Sequence, residues 1–304
     1  MFSRSDIPFI LEYLHKYAVG VLYKNGIKLI SLRSAGYNNV DFKAAYKKIH
    51  VTRVPAYSPS AVAEHAVGLM LSLNRKIHRA YYRTRDNNFS INGFTGFDMN
   101  GSTAGVIGTG KIGQNVIKIL KGFGMNVLAF DPYPDKEYAG KAGFRYTSIN
   151  NLFKNSDIIT LHCPLNKSTK GIINSGSIKK MKKGVMLINT GRGQLIDTKA
   201  LIDGLKSNKV GYAGLDVYEE EDKYFFEDFS ARTVTDDMLA RLLTFNNVLI
   251  TSHQGFFTKE ALSNIAQTTL SNIDDFIKGR KMDNEICLKC KNKKCMKNIK
   301  GRCF

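Results

Sequence analysis

The stretch TAGVIGTGKIGQNVIKILKGFGMNVLAFD, residues 103–131, decides the fold. Residues 103–107 form a short apolar run that reads as a buried strand, and residues 126–130 form a second one. Between them Ile112, Val116, Ile119, Leu120 and Phe123 recur at helical spacing while Lys118 and Lys121 face the other way. The strand passes into the helix through Gly108, Gly110 and Gly113, a G-x-G-x-x-G pattern. Strand, glycine turn, helix and strand in that order make a parallel unit with a crossover helix.

Glycines at those positions allow a tight turn and let a pyrophosphate approach the backbone, where the unpaired amides of a helix N-terminus receive it. Asp131 ends the second strand, where a carboxylate accepts hydrogen bonds from adenosine ribose hydroxyls and repels a 2′-phosphate. The pair of signals points to NAD rather than NADP. Further strands are expected over residues 157–162, 185–189, 212–217 and 247–251. Alternating with helices, they predict an α/β fold, a Rossmann-type doubly wound parallel sheet.

Upstream, Ser58 and Pro59 have the residue types of an N-cap and first turn. A stripe of Val62, Ala66, Leu69, Met70, Leu73, Ile77 and Tyr81 extends the pattern to about Arg85. One continuous helix of that length reads as a domain hinge or as the interface of a homo-oligomer, at least a dimer. His65 and His78 on it are expected at the surface or in that interface. Residues 28–32 read as a strand that ends in the turn-rich loop RSAGYNN, residues 33–39.

The chain has 304 residues with 43% hydrophobic content, which predicts two domains: 58–254 for the dinucleotide, and 1–57 with 255–304 for the substrate. No apolar run of about 18 residues is present and the first residues lack the order of a secretion signal, so the expected setting is cytoplasmic. The formal charge of +19 is scattered, with no basic helix or aromatic-interleaved patch before the tail. That distribution argues against nucleic acid as the partner.

Three polar groups stand at the ends of later strands: Arg192 in INTGRGQLID, Glu221 in GLDVYEEE and His253 in TSHQG. Strand C-termini of a parallel sheet border one crevice, so residues far apart in sequence can converge there. Histidine can give a proton to a developing alkoxide, a carboxylate beside it fixes the ring, and arginine binds a carboxylate bidentately while polarising a carbonyl.

These stretches, with LHCPL, RVPAYSPSAVAEHAVGLMLSLNRKIHRAYYRTRD and SHQGFFTKEALSNIAQTTL, resemble the D-2-hydroxyacid dehydrogenase family and within it the fermentative D-lactate dehydrogenase branch. The resemblance runs from about Lys28 to about Lys281. It implies a Rossmann domain inserted in a smaller flavodoxin-like substrate domain, and NADH-dependent reduction of a small 2-keto acid, pyruvate to D-lactate. By position it puts the substrate arginine on Arg192, the proton donor on His253 and its paired carboxylate on Glu221. Backbone near Ala35 and Gly36 would hold the substrate carboxylate. Cofactor contacts would fall on Lys111, Ile112, Asp131, Cys163, Pro164, Thr169, Thr190, Gly191 and Asp216, besides Gly108, Gly110 and Gly113.

The sequence departs from the family's pattern in places. Few residues precede the RSAGYNN loop, so the front of the substrate domain is expected to be lacking, as in a fragment or a shortened variant, with sheet edges exposed. Gly255 stands where relatives carry alanine, and Thr169 where they place asparagine. The tail CLKCKNKKCMKNIKGRCF adds Cys287, Cys290, Cys295 and Cys303, which could surround zinc or an iron–sulfur cluster or remain free thiols. An alternative to the enzyme is an NAD(H)-responsive regulatory protein with little turnover, because this fold is reused for binding.

Overall fold

The computed structural model describes Leu14 and residues 16–37, 39–290 and 295–304. The chain divides into two compact units, one from the described residues up to Ser58 together with Phe257–Phe304, the other Pro59–Phe256. The first begins with α1 (Lys16–Lys24), β1 (Leu29–Ser31), α2 (Phe42–Ala45) and β2 (His50–Thr52).

The second unit opens with α3 (Pro59–Arg75) and α4 (Ile77–Arg85), followed by β3 (Thr103–Ile107), α5 (Lys111–Gly122), β4 (Asn126–Phe130) and α6 (Lys136–Ala142). After β5 (Arg145–Tyr146) and α7 (Ile149–Asn155) come β6 (Ile158–Leu161), α8 (Ser175–Lys180), β7 (Val185–Asn189) and α9 (Thr198–Lys206). It closes with β8 (Val210–Leu215), α10 (Asp237–Leu243) and β9 (Val248–Ile250). The first unit resumes with α11 (Lys259–Ile277) and α12 (Lys297–Lys300).

In the second unit the described strands form one parallel sheet in the order β5-β4-β3-β6-β7-β8-β9. The chain enters at β3, moves outward to β5, then returns to β6 on the other side of β3. That reversal makes the doubly wound sheet and leaves a crevice at the C-terminal ends of β3 and β6. Every residue of β7 is buried, the pattern of a central parallel strand covered on both faces. One face packs Met70, Leu73, Val116 and Leu120 against Val106, and the other packs Leu152, Ile178, Leu201 and Leu239 around Ile159 and Leu215. A parallel α/β Rossmann fold is therefore the architecture.

The expected long helix is two helices. Lys76 takes φ +51° and ends α3, because a left-handed residue breaks the i→i−4 ladder. Buried Asn74, two residues earlier, exchanges two hydrogen bonds with the backbone of Phe97, at 2.7 and 2.8 Å, and Lys76 Nζ donates to the carbonyl of Thr95 at 2.7 Å. The stripe is buried through Leu73, whereas Ile77 and Tyr81 are more than half exposed.

In the first unit β1 and β2 pair in parallel, Leu29 opposite His50. The far edge of β2 is not bare. Thr52 forms an antiparallel bridge with Glu285, the Ile286 amide donates to Val51 at 2.8 Å, and the Arg53 amide donates to Asn284 at 3.1 Å. Residues 284–286 thus extend the sheet from a distant part of the chain, which removes an exposed edge. No described helix is long and apolar enough to cross a membrane.

Candidate active site

The glycine turn after β3 is shaped by three different needs. Gly108 takes φ +94°, and a Cβ on it would lie 2.5 Å from the Cys163 nitrogen. At Gly113 a Cβ would meet the Gly108 carbonyl oxygen at 2.0 Å, so the helix can approach the strand only without a side chain. Gly110 differs: nothing lies within 4 Å of its Cβ position. It caps α5 without any side-chain hydrogen bond to the first amides, which belong to Lys111, Ile112 and Gly113. Asp131 accepts the Thr109 amide at 2.8 Å and hydroxyl at 3.2 Å through one oxygen and the Tyr133 amide at 2.9 Å through the other.

Nearby loops add to this crevice. Burial pushes the Cys163 thiol up to about 11 and the His162 ring down to about 4, so both are neutral packing groups rather than a nucleophile and base. The Thr169 hydroxyl donates to the Pro164 carbonyl at 2.6 Å and ties its own loop. Buried Thr190 has a hydroxyl with no partner among the described residues. A buried polar atom without a bond is costly unless a ligand completes it. Open space at Gly110, uncapped helix amides and the Thr190 hydroxyl fit a dinucleotide phosphate and its attached ring system.

Arg192 extends from the turn after β7. Asn189 braces that turn from both sides, its amide donating to the Arg192 carbonyl at 2.9 Å and its oxygen accepting the Gly191 amide at 3.0 Å. The guanidinium bonds only its neighbour's carbonyl, Gly191 at 2.7 Å, and forms no ion pair among the described residues. Gly193 packs so close to the Tyr218 backbone that a Cβ would overlap it at 2.0 Å. That contact joins the Arg192 turn to the loop carrying Glu221.

Glu221 turns one oxygen back to the Tyr218 amide at 2.9 Å and the other to His253 Nδ1 at 3.0 Å. The ring of His253 lies between Phe226 and Phe256, with centroids at 5.9 and 6.5 Å. With Nδ1 held by the carboxylate, Nε2 is the position that can exchange a proton with a ligand.

The His253 turn is held by a single side chain. Asp216 is 2% exposed, and its carboxylate accepts the Thr251 hydroxyl at 2.7 Å and the Gln254 and Gly255 amides, both at 2.8 Å. Its backbone carbonyl accepts the His253 amide at 2.5 Å. His65 on α3, expected at the surface or in an interface, is partly buried and reaches this turn. Its Nε2 meets the Thr251 hydroxyl at 2.9 Å and lies 3.3 Å from the Asp216 carboxylate. Because Thr251 gives its only proton to Asp216, His65 donates to the Thr251 oxygen. Burial pushes the Asp216 carboxyl up, but the donors His65, Thr251 and Gly255 outweigh it and hold the group below the ordinary carboxylate range. A Cβ at Gly255 would stand 2.8 Å from an Asp216 oxygen, so an alanine here would require that carboxylate to shift.

In the other unit, the Ala35 carbonyl accepts from Arg53 at 2.9 Å and the Gly36 carbonyl from Ser34 at 2.7 Å. Both carbonyls of that loop are therefore engaged. The four tail cysteines, Cys287, Cys290, Cys295 and Cys303, come together with all sulfurs within 4.8 Å of one another. Asn189, Gly193 and Arg53 carry no expected role in the sequence, and His65 is expected there only as a surface or interface residue. Only Gly193, one glycine past the arginine in G-R-G, carried a local signal.

Comparison with known proteins bears on the same residues. Residues 67–255 match the profile of the D-isomer specific 2-hydroxyacid dehydrogenase NAD-binding domain. The D-lactate dehydrogenase of Escherichia coli is 54% identical over 266 residues, which are 87% of this chain and 80% of that protein. The structure of a pyruvate reductase from Chlamydomonas reinhardtii superposes with a TM-score of 0.86 at 45% identity, covering 91% of this chain and 84% of that one. The apo D-lactate dehydrogenase of E. coli gives 0.83 at 49% identity, covering 92% and 84%. The chain belongs to the D-isomer-specific 2-hydroxyacid dehydrogenases, close to the D-lactate dehydrogenases, and is an NAD-dependent oxidoreductase of 2-keto and 2-hydroxy acids.

Proposed function

We propose that the chain reduces pyruvate to D-lactate, with His253 as proton donor and Arg192 as substrate anchor. The observation that carries the roles is the 3.0 Å bond between His253 Nδ1 and Glu221, on a loop packed against the turn of an arginine that has no acidic partner among the described residues. Relatives named for D-lactate and pyruvate support the substrate.

The glycine turn, Asp131, Thr190 and Gly191 would hold the dinucleotide, with Asp131 toward the ribose and the α5 amides toward the phosphates. When bound, NADH supplies the hydride to a carbonyl carbon. Arg192 pairs with the substrate carboxylate through two parallel N–H groups and draws electron density toward the carbonyl oxygen. Glu221 keeps the His253 proton at Nδ1 fixed, so Nε2 holds the second proton for the oxygen as it becomes an alkoxide. The imidazolium formed before transfer is stabilised by the same carboxylate. Asp216, assigned to the cofactor by resemblance, serves as the positioning residue for this turn. Ala35 and Gly36 are assigned to the substrate carboxylate on the same resemblance, and their engaged carbonyls leave the amides as the available groups.

The test is loss of NADH absorbance with pyruvate, followed by chiral analysis of the lactate. Arg192→Gln and His253→Ala are each expected to lower kcat/KM by about 10²-fold or more. Near-normal rates in both variants, or L-lactate as the product, would sink the assignment.

A further inference from the structure

The tail cysteines belong to neither the glycine turn nor the His253 constellation, and their geometry is specific. Cys287 and Cys290 stand 3.7 Å apart at sulfur, as do Cys287 and Cys295, and Cys290 and Cys303; Cys295 and Cys303 stand at 3.2 Å. Metal–thiolate bonds of about 2.3 Å in a tetrahedron place sulfurs about 3.8 Å apart. A disulfide requires about 2.05 Å, and it pairs sulfurs two by two instead of gathering four. In an iron–sulfur cluster the cysteines are spread over several irons, and the cluster's width holds some of their sulfurs well outside a 4.8 Å envelope. The sulfur arrangement is that of a single ion.

Backbone and charge agree with thiolates at these positions. The Cys287 amide donates to the Cys290 sulfur at 3.2 Å, and the Lys297 amide to the Cys295 sulfur at 3.5 Å. Four thiolates around a divalent ion leave two negative charges, and Lys289, Lys297, Lys300 and Arg302 stand in the same segment with no acidic residue after Glu285. The last ligand is tied to the sheet. The Cys303 amide donates to Glu285 at 2.6 Å, Glu285 meets His50 of β2 at 2.5 Å, and Phe304 stacks on His50 with centroids 4.5 Å apart.

We propose that Cys287, Cys290, Cys295 and Cys303 bind one zinc ion. The ion clasps the tail against β2 and so fixes residues 284–286 as the added edge strand. Its role is structural, since four protein ligands leave no open position for a substrate.

The full chain, purified under reducing conditions and reconstituted with zinc sulfate, is expected to hold about one zinc per chain, with no iron. Cobalt put in its place should show the visible bands of a tetrahedral thiolate site. Cys290→Ser and Cys295→Ser should each lose the bound zinc at a chelator concentration that leaves the parent loaded. Should these variants fail to fold, titration of the parent with a mercurial reads the same property: about four thiol equivalents release the one zinc. Protein that stays metal-free after reconstitution, bound iron, or full zinc retention in Cys295→Ser would overturn the proposal. Because none of these readouts depends on turnover, they stand apart from the assay for pyruvate reduction.

Discussion

Two turns at strand ends of the nucleotide-binding unit solve the same problem by opposite means. After β3 the chain turns by leaving side chains out: Gly108 relaxes into φ +94° at no steric cost, and Gly113 lets α5 touch the strand. After β9 it turns with side chains in place, Ser252 at φ +49° and His253 at φ +53°. A left-handed conformation costs a non-glycine residue about 1–2 kcal/mol, and two stand in succession. Asp216 offsets this through the bonds it accepts from the backbone or hydroxyl groups of residues 251, 253, 254 and 255. A turn that must present backbone to a ligand can be built from glycine alone. One that must present an imidazole cannot, so its shape is imposed from a neighbouring strand.

The comparison breaks most directly at the glycines. Gly113→Ala places a methyl group 2.0 Å from the Gly108 carbonyl oxygen, a backbone atom that cannot swing aside. A loss of about 3 kcal/mol or more is expected, read as a fall in the denaturant midpoint. Gly110→Ala has free space and an ordinary φ of −66°, so stability should hold while NADH binding weakens roughly tenfold. Should Gly110→Ala destabilise and leave NADH affinity intact, the open space at that position is not a phosphate cradle.

Asp216→Ala attacks the other turn. Its removal leaves the Gln254 amide and the buried Gly255 amide without their acceptor and is expected to cost about 2 kcal/mol or more. Activity should fall with it as His253 leaves its place. The same carboxylate predicts an acid limb. Its folded pKa lies below the unfolded value, so its contribution is whole at neutral pH. It begins to decline as pH falls past the ordinary Asp value of about 3.9, and is lost as pH falls through the depressed folded value. Unfolding midpoints measured down this range should converge for parent and Asp216→Ala; parallel curves would deny the carboxylate its stabilising role.

The same contrast explains what could be read from the sequence. Buried parallel strands such as Val185–Asn189 are continuous apolar runs, and G-x-G-x-x-G marks its turn by what is absent, so sheet and glycine turn were both legible. The two-residue strand β5 is too short and too exposed to announce itself. His65 lies 186 residues from Thr251, and Asp216 lies 38 from Gln254. No local spacing encodes such bonds; for Asp216 only the resemblance pointed at all, whereas His253 stood out as a polar residue at a strand end. Glu285, a carboxylate beside a basic tail, reads as solvated, yet it is fully buried between His50 and the Cys303 amide because the tail folds back onto β2. The helix break at Lys76 was invisible for the reverse reason, since the apolar stripe continues through Ile77 and Tyr81 although neither is covered.

That break offers the finest test of whether left-handed strain is a real cost in this chain. Lys76, at φ +51°, is another non-glycine in the same conformation, but without an Asp216 beneath it; its side chain makes one exposed bond, to the Thr95 carbonyl. Lys76→Gly removes the clash between Cβ and the backbone, as glycine does at helix ends generally. The lost lysine bond and the greater freedom of glycine in the unfolded chain subtract from the gain, leaving about 0.5 kcal/mol of added stability. A higher urea midpoint with unchanged NADH binding would show that strain of this kind is measurable, and that Asp216 offsets it at Ser252 and His253. A lower midpoint would mean that the left-handed residues are comfortable where they stand. The bonds to Asp216 would then serve only to aim the imidazole.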